Sequence, residues 1–141
     1  MRPKEIVDAS TIIAYLDPQE GGNHEWAVAL FRRTEEFFTC EAVIAEACAR
    51  LVYARQSPAR CLRLIEEGVL HLDFDAAANI SRIIRLMDKY ADLPMDFADA
   101  CLVNMSEDTR QSMIYTLDKS DFSVYRRHGR DMVPFESPPS D

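Results

Sequence analysis

Short runs rich in β-branched and aromatic residues alternate along this chain with longer stretches of helical periodicity. That alternation limits the fold more than any other feature. Lys4 to Asp8 (KEIVD), Phe37 to Thr39, Val69 to Phe74 (VLHLDF), Ser112 to Thr116 (SMIYT) and Met132 to Phe135 read as strands. Helical patterns lie between them, over His24 to Thr34, Glu41 to Arg55, Pro58 to Glu67 and Ala76 to Tyr90, with a further apolar helix opening near Asp96. In the helix beginning at Glu41, the residues Val43, Ile44, Ala47, Cys48 and Leu51 make one apolar stripe. Ser10 or Thr11 is the expected cap of a short helix through Leu16, and Thr39 the expected cap of the helix that starts at Glu41. Strands joined through helices cross over right-handedly into one mainly parallel sheet. The expected class is therefore α/β, a central parallel sheet flanked by helices, built as a single domain over residues 1–135 with a polar tail, ESPPSD, over 136–141.

Composition narrows the setting. With 141 residues and 48% hydrophobic content the chain can bury a real core. No apolar run approaches the length of a membrane span, and the first ten residues, MRPKEIVDAS, lack the apolar stretch of a signal peptide. The reading is a cytoplasmic protein with no membrane association. Cys40, Cys48, Cys61 and Cys101 form no C-x-x-C pair, and most fall in apolar helical patterns, which predicts buried free thiols. A net charge of -8 argues against broad nucleic-acid binding driven by counterion release. Thirteen of the sixteen basic residues are nevertheless arginine, whose planar fork suits phosphate.

The acids carry the chemistry. In parallel α/β sheets ligands gather beyond the carboxyl ends of the strands; Asp8 closes the first strand and Asp118 follows the strand ending at Thr116, so the two share one edge if both strands are central and parallel. Glu46 and Asp99 both lie off the apolar stripes of their helices, an arrangement that suits either a cleft or plain solvent. Asp96 and Asp99 also fit a capping box, with Asp96 at the N-cap and Asp99 at N3. Cap and ligand are compatible roles. A carboxylate cluster without histidine calls for a hard, oxygen-seeking cation, Mg²⁺ or Mn²⁺, and the chemistry that follows is phosphodiester hydrolysis.

Four stretches, VDASTIIAYLD from Val7, TCEAVIAEACARL from Thr39, YADLPMDFADACLVNMSE from Tyr90 and YTLDKSDFSVYR from Tyr115, stand in an order and spacing similar to the PIN-domain ribonucleases. The chain most resembles the VapC-like toxins of bacterial toxin-antitoxin pairs, from about Ile6 to Arg127. The resemblance implies a PIN-like three-layer α/β/α fold and a Mg²⁺- or Mn²⁺-dependent endoribonuclease. It implies Asp8, Glu46 and Asp99 as catalytic, metal-coordinating acids with Asp118 as the fourth, and Asp121 as the competitor for that last role. Ser10 and Thr116 look like the family's hydroxyls that orient carboxylates or water, and Asp96 is a supporting acid. An RNA substrate, a small antitoxin that enters the acidic groove and a homodimer are the partners it implies. The alternatives are a catalytically idle PIN-like binding module and a solitary RNA-processing nuclease. A haloacid-dehalogenase-like phosphatase wants D-x-D where this chain has D-A-S, and a receiver domain wants a paired acid at the first strand end that is missing here.

Overall fold

The computed structural model describes residues 3–140. Five strands form one sheet in the order β3-β2-β1-β4-β7, every neighbouring pair parallel. They are β1 (Lys4–Val7), β2 (Phe37–Thr39), β3 (Leu70–Leu72), β4 (Ser112–Tyr115) and β7 (Phe135–Glu136). Among the described residues seven α-helices flank the sheet: α1 (Ala9–Leu16), α2 (Gly22–Arg33), α3 (Glu41–Tyr53), α4 (Ala59–Glu66), α5 (Ile80–Lys89), α6 (Phe97–Glu107) and α7 (Lys119–Val124). The α/β fold expected from the alternation is the fold observed, and it agrees with a three-layer α/β/α arrangement. A separate antiparallel hairpin, β5 (Arg126–Arg127) with β6 (Asp131–Met132), stands outside the main sheet. No helix among the described residues is long and apolar enough to cross a membrane.

The core sits where the apolar runs predict. Ile6 and Val7 of β1 and Ile114 of β4 are fully buried at the sheet centre, and an aromatic group of Phe31, Phe37 and Tyr115 packs at its side with centroid separations of 4.5 and 6.0 Å. On α3 the stripe is as expected, with Val43, Ile44, Ala47 and Leu51 buried. The thiols are free, Cys40, Cys61 and Cys101 buried and Cys48 partly so.

Local expectations fail in four places. The cap of α1 is neither Ser10 nor Thr11 but Asp8, whose own Oδ1 accepts the Ala9 N–H at 2.7 Å. The Thr11 hydroxyl instead donates to the Tyr115 carbonyl, 2.9 Å away, tying α1 to β4. Thr39 likewise donates to the Val7 carbonyl at 2.8 Å rather than capping α3, which begins after Cys40 without a side-chain cap. The pattern over Ala76 to Tyr90 divides into a 3₁₀ turn, Ala77–Asn79, and α5. The expected strand Met132 to Phe135 is two elements, because Pro134 offers no N–H to a ladder; Met132 pairs with Arg126 in the hairpin, and Phe135 joins β4 in the sheet. Ends of the expected domain and tail, Met1, Arg2 and Asp141, lie outside the described residues.

Candidate active site

The site is built on the register of two central strands. Val7 of β1 lies opposite Tyr115 of β4, so the residues that follow, Asp8 and Thr116, leave the sheet side by side at its carboxyl edge. The Thr116 hydroxyl donates to Asp8 Oδ2 at 2.7 Å and accepts the Asp118 backbone N–H at 2.9 Å. Ser10 Oγ lies 3.5 Å from Asp8 Oδ2 and accepts the Leu117 N–H at 3.0 Å. Two hydroxyls thus hold one carboxylate and the loop that carries the next acid.

The second support is α6. Asp96 is its N-cap, with Oδ1 accepting the Asp99 N–H at 2.8 Å, which is the N-cap half of the capping-box reading. The amphipathic reading of this helix does not hold, because α6 packs against the sheet, α3 and α5 together. Ala98 through Ser106 are all buried and Phe97 is exposed instead. Asp99, read as off the apolar stripe, is 8% exposed. Its Oδ2 accepts a 2.7 Å hydrogen bond from the Tyr125 hydroxyl, and Tyr125 is itself fully buried, edge-on to Tyr90 and Phe122.

The segment after β4 forms α7, and this turns the carboxylates inward. Asp99, Asp118 and Asp121 each present a ligand-capable oxygen within 4.8 Å of the others. Asp118 and Asp121, read as competitors for one role, therefore stand together. Asp8 lies outside that mutual group, though near enough that its charge acts on Asp99 and Asp118. Glu46 lies further out on α3 with Arg50 3.5 Å away, and feels the charges of Asp96 and Asp118.

The electrostatics are those of acids crowded without compensation. Burial pushes the Asp99 carboxyl up to about 8, opposed by the Tyr125 hydrogen bond and reinforced by Asp96, Asp8 and Asp118. Asp8 is pushed up to about 6, chiefly by burial, and Asp118 to about 6, by burial and by Asp121. Glu46 is raised by burial and by Asp96. Such a set of hard oxygen donors, with lone pairs left over and charges that repel, fits a divalent cation such as Mg²⁺ or Mn²⁺.

The sequence matches the PIN domain family over residues 6–127, which takes in every one of these acids. The chain belongs to the PIN domain family. It is similar to the ribonuclease VapC26 of Mycobacterium tuberculosis, with 29% identity over 127 residues, 88% of this chain and 93% of the relative. The match closes before β6 and β7.

Tyr125 is the site residue that sequence reasoning missed. It stands inside the stretch from Tyr115 that resembles the family, yet nothing in its spacing tells a core tyrosine from one aimed at a carboxylate 26 residues earlier. It is a positioning residue. Tyr125→Phe removes the donor that favours the Asp99 carboxylate, so the acid limb of the cleavage pH profile is expected to move to higher pH, with activity at neutral pH reduced about tenfold. An unmoved acid limb would show that the hydroxyl serves packing alone.

Proposed function

We propose that this protein is a metal-dependent endoribonuclease of the VapC type, a toxin held in check by a small antitoxin. The observation that carries the reading is the convergence of Asp99, Asp118 and Asp121 within 4.8 Å beside the hydroxyl-held Asp8 at the carboxyl edge of the sheet. The PIN-family match and the similarity to a VapC ribonuclease supply the substrate class.

In this reading Asp99, Asp118 and Asp121 would hold Mg²⁺ or Mn²⁺, with Asp8 and Glu46 completing the acidic wall. A bound divalent cation supplies Lewis-acid polarisation of the phosphoryl group and lowers the pKa of water. The chain's own residues do the rest. Thr116 and Ser10 keep the Asp8 oxygens aimed, Asp96 caps the start of α6 beside Asp99, and Tyr125 fixes the rotation of the Asp99 carboxylate. We assign the chain to one nuclease domain, closed by β7 at Glu136 and not at residue 135, acting in the cytoplasm as a homodimer, with the residues that follow as tail. An antitoxin segment bearing arginine would neutralise the same acids.

Purified protein incubated with a labelled RNA pool tests the reading. Cleavage is expected with Mg²⁺ or Mn²⁺, none with chelator, and recovery when metal is restored. Cleavage that persists in chelator would overturn it.

A further inference from the structure

Against the acidic balance of the chain, two clefts among the described residues gather cations, one among α1, α2 and α4 with Arg32, Arg60 and Arg63, and one at the β5–β6 hairpin. A cavity of about 280 Å³ lies between α5 and the β5–β6 hairpin, walled by Arg82, Arg85, Lys89, Arg126 and His128, with Glu107 as the one carboxylate in its lining. That acid is already engaged, accepting from Arg82 at 3.3 Å and from the His128 backbone N–H at 2.6 Å. Arg126 is held in place, its Nη1 donating to the Ser123, Val124 and Tyr125 carbonyls at the end of α7. Arg85 and Lys89 are exposed, and Lys89 reaches the Gly129 carbonyl at 3.3 Å.

The hairpin is built to stay where it is. Its turn puts His128 at φ 53 and Gly129 at φ 79, the left-handed pair of a tight hairpin. A non-glycine residue rarely adopts that conformation without support, and the Glu107 bond to the His128 N–H provides it. Arg127 donates to the Thr109 carbonyl beyond the end of α6. These contacts pre-organise the cations, which lowers the ordering cost of binding a polyanion.

The cleft also adjoins the acids. Tyr125 donates to Asp99, its ring lies 5.2 Å from the ring of Tyr90, and the Tyr90 hydroxyl accepts the Arg126 N–H at 2.8 Å. One buried tyrosine pair separates the acidic cluster from the cations.

We propose that the cleft between α5 and the β5–β6 hairpin, through Arg85, Lys89 and Arg126, binds backbone phosphates of the RNA beside the scissile bond. The proposal rests on the ribonuclease reading. A chain with a net charge of -8 repels RNA over most of its surface, so its few clustered cations set both the approach and the register of the strand. Phosphate contacts of this kind position a strand without reading its sequence.

The test uses the double variant Arg85→Gln/Lys89→Gln, leaving Arg126 in its structural role, with Arg55→Gln in the turn after α3 as a control for one lost surface charge. Binding of labelled single-stranded RNA is measured in chelator across a salt series, and KM for cleavage is measured with Mn²⁺. The double variant is expected to bind several-fold more weakly and to lose about 1.4 from the slope of log affinity against log salt, at ~0.7 per phosphate contact. Its KM should rise with its melting temperature unchanged. An unaltered salt slope and KM, or a loss no larger than that of Arg55→Gln, would overturn the cleft as an RNA site. Wild-type protein that cleaves no RNA with any divalent cation would overturn the ribonuclease reading instead, while the binding series in chelator still decides the cleft.

Discussion

Replacing Asp99 by asparagine is expected to abolish RNA cleavage and, at pH 8 without metal, to make the protein more stable. The two effects share a cause. Asp99 is 8% exposed, its carboxyl is pushed up to about 8, and its neighbours Asp96, Asp8 and Asp118 all repel its negative form. Folding at pH 8 therefore works against a charge that the unfolded chain holds freely in water. Asparagine keeps a side-chain oxygen able to accept the Tyr125 hydrogen bond but carries no charge, so thermal melting at pH 8 should show a gain of ~2 kcal/mol or more, shrinking towards zero only below about pH 4. In the same variant cleavage should fall on the order of 1,000-fold, equivalent to about 4 kcal/mol of transition-state stabilisation. Asp99→Asn protein that is less stable than wild type at pH 8 would mean that the acid contributes to the fold through contacts, not through a site held under repulsion.

The wild-type protein should show the complementary dependence on pH and metal. Asp8 and Asp118, both pushed up to about 6, and Asp99, pushed up to about 8, bind protons more tightly in the folded state than in the unfolded one. The sign follows from that. Their stabilisation is complete below the unfolded carboxylate range near 4 and is lost as pH rises through 6 and then 8. Metal-free protein should accordingly melt at a progressively lower temperature from pH 5 to 8.5, by a few kcal/mol in all. Mn²⁺ at saturating concentration should recover that loss at pH 8 and do little at pH 5, where protons compete for the same oxygens. A melting temperature that rises with pH in the absence of metal, or a Mn²⁺ effect independent of pH, would contradict the account.

The layers of the fold were legible from the alternation of apolar strands and periodic helices, because strand and helix periods survive without tertiary information. What the sequence left hidden was where polar groups spend their hydrogen bonds. Thr39 bonds to β1 and Thr11 to the end of β4 because neighbouring strands bring those carbonyls within 3 Å, a proximity created only by the sheet, and with Thr11 so engaged Asp8 caps the helix that follows it. The burial of Asp99 was missed because a helix enclosed on several sides has no polar face, so a carboxylate off the stripe still ends inside. Asp118 and Asp121 read as alternatives because the resemblance offers both for one role; the helix α7 that brings both to Asp99 has only six residues, too few for a clear periodicity. Tyr125 was invisible because its role depends on a contact across 26 residues.

The most direct test of the central claim, that these carboxylates form one divalent-cation site, is a calorimetric titration of Mn²⁺ into the wild-type protein at pH 7 in buffers of different ionisation enthalpy. The account predicts saturable binding accompanied by proton release, since the cation displaces protons held by Asp99 and its neighbours, and loss of both in Asp99→Asn. Binding of equal strength in wild type and Asp99→Asn, or binding with no proton released, would contradict it.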